Sequence, residues 1–194
     1  PATLGAAVLA EAAYLDISLA VGQELTDSDL AAAIRGAPNF DDNPLTDTEI
    51  ALITEEYDLV ATQLSGISGF QAMVFRRHSS AGQVGEYVLA IRGTAGATDW
   101  LSDGALEMVA AAGAQDTVLL QFVDRLVRPL AQGGYGLTRP PGSLDATGHS
   151  LGGHLVQALV SAQPELTRAG YTFNGAGLGV NAINPTANVA LALQ

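Results

Sequence analysis

Gly142-Ser143-Leu144-Asp145-Ala146-Thr147-Gly148-His149-Ser150-Leu151-Gly152-Gly153 is the stretch on which the reading of this chain turns. Pro140-Pro141 before it is a turn signal, and the first half of the stretch suits a short buried strand. Beyond it, Leu151, Leu155, Ala158, Leu159 and Ala162 recur at helical spacing until Pro164 stops them. Between strand and helix stands Gly148-His149-Ser150-Leu151-Gly152, a G-x-S-x-G pattern. Strand, glycine turn and helix together predict a nucleophile elbow. Ser150 sits on a sharp turn, and the flanking glycines remove side chains that would clash with the strained backbone or block an approaching carbonyl.

Working outward, strand-like runs cover 58–64, 69–77 and 86–91, broken by Ser65-Gly66 and by Ser79-Ser80-Ala81-Gly82. The run 87–91 is apolar throughout, which predicts a strand in the middle of a sheet covered on both faces. Helical periodicity returns near 98–108 and 116–130, and a last strand is predicted over 170–174. Strands alternating with helices after residue 85 predict an α/β fold with a mostly parallel sheet. Residues 1–56 read as an N-terminal helical flank. One helix is predicted over about residues 3 to 20, with Leu4, Val8, Ala12, Leu15 and Leu19 on one side. Two shorter ones start at Thr26-Asp27 and at Thr46, whose spacing to Glu49 is that of a capping box. The organisation expected is a single domain over 1–194, with 57–194 forming its core.

The 194 residues are 48% hydrophobic, which excludes a disordered chain. Twenty acidic residues against eight basic ones give a net charge of -12, and every basic residue is arginine. No basic stripe is present to neutralise phosphates, so no nucleic-acid partner is expected. Cysteine is absent, so no disulfide framework exists. Glu11 and Asp16 interrupt the apolar start, and no basic residue precedes it, which is not the pattern of a secretory leader. The longest uncharged run, 169–194, carries Asn174, Asn181, Asn184, Pro185 and Asn188, which no membrane helix would.

Four blocks then match a family in order and spacing. Ile91-Arg92-Gly93-Thr94, Asp99-Trp100-Leu101-Ser102-Asp103, the elbow block 147–153, and Thr172-Phe173-Asn174-Gly175-Ala176-Gly177 resemble the class 3 lipases, a lipase and phospholipase branch of the α/β-hydrolases. The resemblance covers about residues 57–180. It implies the α/β-hydrolase fold, with the loop after the Arg-Gly-Thr strand forming an oxyanion hole and Thr94 in it. The second donor would be the backbone N–H of Leu151, the residue after the nucleophile. Each such donor contributes about 3 kcal/mol of transition-state stabilisation. The resemblance also puts Trp100 in a lid beside the active-site mouth; the alternative is a tryptophan that anchors a helix capped by Asp99.

The chain departs from the family where the triad should close. In that fold the order is serine, acid, histidine. After Ser150 there is no aspartate, one other acid, Glu165, and one histidine, His154. His154 lies four residues along the helix the elbow starts, on the side away from the hydroxyl, so it reads as a histidine packed behind the site. His149 reads as a support for the turn, while His78 and Glu165 read as surface residues. The expectation is a C-terminally incomplete catalytic unit, its aspartate and histidine supplied beyond Gln194 or by a second chain. Asp99 with Asp103, and Asp41-Asp42 with Asp47, lack the ligand count and glycine spacing of a calcium loop, so no metal and no cofactor are expected.

The reading is therefore a serine ester hydrolase acting on lipid esters, with Ser150, Thr94 and Leu151 as its site residues and a lipid or small ester, at a lipid interface, as its partner. A secreted or extracellular location is expected. Two alternatives remain: an inactive lipase-like module that binds lipid or serves as a scaffold, and a serine peptidase or acyltransferase on the same fold.

Overall fold

Alternation along the strands builds the architecture. In the strand Tyr87–Ile91 the side chains of Tyr87, Leu89 and Ile91 enter one apolar cluster, and Val88 and Ala90 enter another on the opposite face. The computed structural model describes residues 2–39, 44–79, 86–93, 105–137 and 142–175. Within them five strands form one sheet in the order β1 (Tyr57–Gln63), β2 (Ala72–Arg77), β3 (Tyr87–Ile91), β4 (Leu144–His149) and β5 (Thr167–Phe173). As the sequence predicts, β3 is central and buried along its whole length.

The sheet is mixed rather than mostly parallel. β1 with β2 and β2 with β3 run antiparallel, while β3 with β4 and β4 with β5 run parallel. Connection length is the physical reason: the links on either side of β2 are shorter than the roughly one dozen residues a parallel crossover needs. The β3–β4 link carries α4 (Ala105–Val127), and the β4–β5 link carries α5 (Leu151–Ala162). Leu119, Phe122, Leu126, Leu155 and Leu159 of these two helices cover one face of the sheet.

The other face is covered by the N-terminal helices α1 (Ala2–Ala12), α2 (Asp27–Gly36) and α3 (Asp47–Glu56). Helix α1 packs on β3, β4 and β5, and the buried Thr147 hydroxyl of β4 donates to the Ala6 carbonyl at 2.8 Å. Thr46 and Glu49 form the expected capping box at the start of α3. The first helix stops at Ala12, well short of residue 20. Its last turn tightens, with the amides of Tyr14 and Leu15 donating to the carbonyls of Glu11 and Ala12. The chain then extends, and Leu15 bridges to Asn39. Leu15 and Leu19 stay buried without being helical. The helical signals near 98–108 and 116–130 merge into the single helix α4 where residues are described.

Ion pairs tie the strands together at one end. Arg76 reaches Asp58 and Glu24, Arg77 reaches Glu86, and Arg168 of β5 pairs bidentately with Asp145 of β4 and also with Glu86. The carboxyl-terminal ends of β3 and β4 point the opposite way, and there the chain carries glycines instead. Among the described residues no helix is long and apolar enough to cross a membrane.

Candidate active site

Ser150 follows the last residue of β4 and precedes the first of α5, with φ 55° and ψ −123°. That combination is sparsely populated for a residue with a side chain and costs on the order of 1–3 kcal/mol, so it persists only where the surroundings over-determine it. They do so by close backbone packing. A Cβ on Gly148 would meet the carbonyl carbon and oxygen of Gly152 at 2.5 Å. On Gly152, a Cβ would press into the Ile91 carbonyl and stand 3.0 Å from the Arg92 carbonyl carbon. One on Gly153 would come within 2.9 Å of the Gly175 Cα. The glycines of the elbow are therefore required by contact, and they dock α5 on the end of β3 and on the segment after β5.

The Ser150 amide donates to the Phe173 carbonyl at 2.9 Å, which fixes the turn to the end of β5. The hydroxyl does not cap the helix that follows. The Leu151 amide is at the first position of α5, one of the amides that have no acceptor within a helix, and the helix dipole adds positive potential there. A serine oxygen and an amide so arranged suit a tetrahedral oxyanion formed on an attacked carbonyl.

Gly93, two residues beyond β3, lies against this turn. A Cβ there would be 2.6 Å from the His149 carbonyl oxygen, 2.6 Å from the Tyr14 hydroxyl and 3.3 Å from the Ser150 Cβ. The Arg-Gly of the expected oxyanion block and Ser150 are thus neighbours. Thr94, the next residue, lies outside the described residues, as do Trp100, Asp99, Asp103, Asp41 and Asp42.

Arg92 points away from the serine into the fold. Its guanidinium is buried and donates to Gln71 Oε1 at 2.8 Å, Ser65 Oγ at 3.1 Å and the Gly69 carbonyl at 3.0 Å. Burial draws its pKa down, and the nearby Tyr14 and Asp16 oppose that. Gln71 Nε2 in turn donates to the carbonyls of Ala13 and Leu15, at 3.0 and 2.9 Å. These carbonyls follow the end of α1, where backbone acceptors lack helical partners.

The histidines divide. His149 is half-buried, and its Nδ1 lies 3.4 Å from the Tyr14 hydroxyl. His154, half-buried on α5, is near Asp116 of α4; burial pushes the Asp116 carboxyl up while His154 draws it down. His78 does more than sit at a hairpin end: its Nε2 lies 2.9 Å from Asp58 Oδ1. Glu165 is exposed, and Asp47 pairs with Arg35 at 3.1 Å. Among the described residues no group of side chains could hold a metal ion.

Sequence reasoning missed Tyr14 and Gln71. Tyr14 was absorbed into a helix that ends before it. Gln71 carried a readable signal, a lone amide between Phe70 and the buried strand Ala72-Met73-Val74-Phe75.

Among known families, the model described as "Phospholipase-like: Tle-like phospholipase domain" matches residues 5–193. The match takes in the N-terminal helices, in which the sequence alone offers no family signal. No curated protein and no solved structure matches the chain.

Proposed function

The chain belongs to the Tle-like phospholipase family, and from that premise we propose that it bears the nucleophile of a serine hydrolase that cleaves lipid esters. The observation that carries the proposal is the backbone of Ser150, held at φ 55° by glycine contacts on three sides. A module that only binds lipid gains nothing from a strained serine, so the same observation argues against an inactive scaffold.

In this reading Ser150 Oγ attacks the ester carbonyl while its proton passes to a base. The carbonyl oxygen becomes an oxyanion, facing the Leu151 amide and the loop that begins at Thr94. Collapse expels the alcohol, which takes up the proton, and leaves an acyl-serine. Water then attacks the acyl carbon by the same route and releases the fatty acid. The base and its acid are assigned to residues outside those described, and His154, four residues along α5 from Ser150, is read as a histidine packed behind the site. The likeness to class 3 lipases and to the α/β-hydrolase fold supports this division of roles.

A fluorophosphonate probe tests the proposal. It should label the full-length protein at Ser150, and Ser150→Ala should lose both the label and the hydrolysis of a phospholipid substrate. Hydrolysis that survives Ser150→Ala, or labelling at another serine, overturns it.

A further inference from the structure

A phenol hydroxyl is buried beside the proposed nucleophile, and a chain of polar side chains holds it there. Tyr14 is only 2% exposed and lies just beyond α1, its amide donating to the Glu11 carbonyl in the tightened turn that ends the helix. The two carbonyls on either side of it, those of Ala13 and Leu15, both accept from Gln71 Nε2. Gln71 is itself 1% exposed and is gripped twice by Arg92, whose guanidinium donates to its Oε1 at 2.8 Å and whose amide donates to its carbonyl at 3.0 Å. Arg92 is the last residue before Gly93. The clamp therefore fixes Tyr14 relative to the strand end that abuts the serine.

The far end of Tyr14 meets the elbow. Its hydroxyl is 3.4 Å from His149 Nδ1, the two rings lie 6.5 Å apart at 57°, and the hydroxyl and the Ser150 Cβ both border the space that a side chain on Gly93 would fill. Burying a hydroxyl costs free energy unless a partner takes it, and a phenylalanine would fill the same volume without that cost. The ring it meets belongs to the residue immediately before Ser150.

We propose that Tyr14 is a positioning residue for Ser150: anchored by the Arg92–Gln71 clamp, its hydroxyl orients the His149 ring and so fixes the turn that carries the nucleophile. This rests on the reading of Ser150 as a nucleophile. In this role Nδ1 accepts from the hydroxyl, which requires the His149 tautomer that carries its ring proton on Nε2. At 3.4 Å the contact is long, as hydrogen bonds at sites without substrate often are.

The test is a double-mutant cycle on the full-length protein with Tyr14→Phe, His149→Ala and the pair. The readouts are the rate of fluorophosphonate labelling, and kcat and KM on a soluble p-nitrophenyl ester. Each single variant should lower kcat and the labelling rate about tenfold, the equivalent of one hydrogen bond, with KM unchanged. The double variant should be no slower than the slower single, because both remove the same interaction. His149→Asn, which keeps an acceptor, should recover part of the rate. Tyr14→Phe at the wild-type rate, a change confined to KM, or losses that multiply in the double variant would each overturn the proposal. Ser150→Ala in the same assay separates the two readings. If it retains activity, the nucleophile assignment falls; if it is dead while Tyr14→Phe is unimpaired, only the positioning role falls.

Discussion

Gly152→Ala sets two opposed effects against each other at the heart of the elbow. Gly152 is the second residue of α5, and replacing a helical glycine by alanine ordinarily stabilises by up to about 1 kcal/mol. Here the added methyl would press into the Ile91 carbonyl and stand 3.0 and 3.1 Å from the Arg92 carbonyl carbon and the Gly93 nitrogen. All three are backbone atoms of the strand end, so no side chain can swing away. Overpacking of this kind costs about 1–3 kcal/mol, and rigid neighbours put it at the upper end. The net expected loss is on the order of 2 kcal/mol, a fall in Tm of roughly 4–8 °C for a chain of this size. Because α5 must tilt off β3 to relieve the clash, the labelling rate of Ser150 should fall along with stability. Gly36→Ala is the control: Gly36 ends α2 and has nothing within 4 Å of its would-be Cβ, so propensity acts alone and stability should rise by about 0.5 kcal/mol. Thermal and urea unfolding of the two variants, with fluorophosphonate labelling of each, make the measurement. A Gly152→Ala protein as stable as wild type, with normal labelling, would refute the contact argument and the close docking of α5 on β3 with it.

Gln71→Leu should destabilise by about 3 kcal/mol in urea unfolding, since it strands the buried carbonyls of Ala13 and Leu15 and a donor of Arg92. Thr147→Val, nearly isosteric, should cost about 1 kcal/mol for the lost bond to the Ala6 carbonyl; a larger drop would mean that the hydroxyl has a further role. The His78–Asp58 pair makes stability depend on pH. The Asp58 hydrogen bond holds the His78 pKa above its ordinary 6.5, while burial would raise that of Asp58 but bonds from His78 and Arg76 outweigh it and hold it below 3.8. His78 thus stabilises fully below pH 6.5 and loses this as pH rises through its raised pKa, and Asp58 loses its share only as pH falls below 3.8. The stability gap between wild type and His78→Ala, from urea curves, should be wide at pH 5 and close at pH 9. Arg168→Met leaves the 3% exposed Asp145 carboxylate without its bidentate partner and should cost about 2 kcal/mol, less than a fully buried pair because water reaches the arginine. Folded Arg168→Met should still be labelled at Ser150 at the normal rate.

The elbow turn is legible because three constraints coincide in one short stretch: a short buried strand, two glycine positions and a helix stopped before Pro164. Local signals of that kind survive in a sequence. The capping box at Thr46 is another, since its partners are three residues apart. What failed depends on distance or on competition. The mixed sheet follows from the lengths of the links around β2, which were readable, but the alternation after residue 85 drew attention to the parallel half. The end of α1 was misjudged because Leu15 and Leu19 continue the apolar spacing of Leu4, Val8 and Ala12 while their burial comes from an extended segment; Gln71, far along the chain, takes the carbonyls that another helical turn would have used. Thr94 and Trp100 rest on the family resemblance alone.

Among the described residues the two ends of the sheet are built from different chemistry. At the end where β4 and β5 begin, Asp145, Arg168, Glu86, Arg77, Asp58 and Arg76 cross-link the strands through ion pairs that water partly reaches. At the end where β3 and β4 finish, the geometry comes from contacts between glycine backbones and from neutral bonds to carbonyls. The Arg92 guanidinium is turned onto Gln71, Ser65 and Gly69. Turned inward, Arg92 spends its hydrogen bonds on the loop 65–69 and, through Gln71, on Tyr14, so the strand that ends at Gly93 and the first turn after α1 are braced against the same point of the elbow. The close backbone contacts of Gly148, Gly152 and Gly153 that hold the turn do not depend on salt, whereas the half-exposed ion pairs at the other end are open to screening.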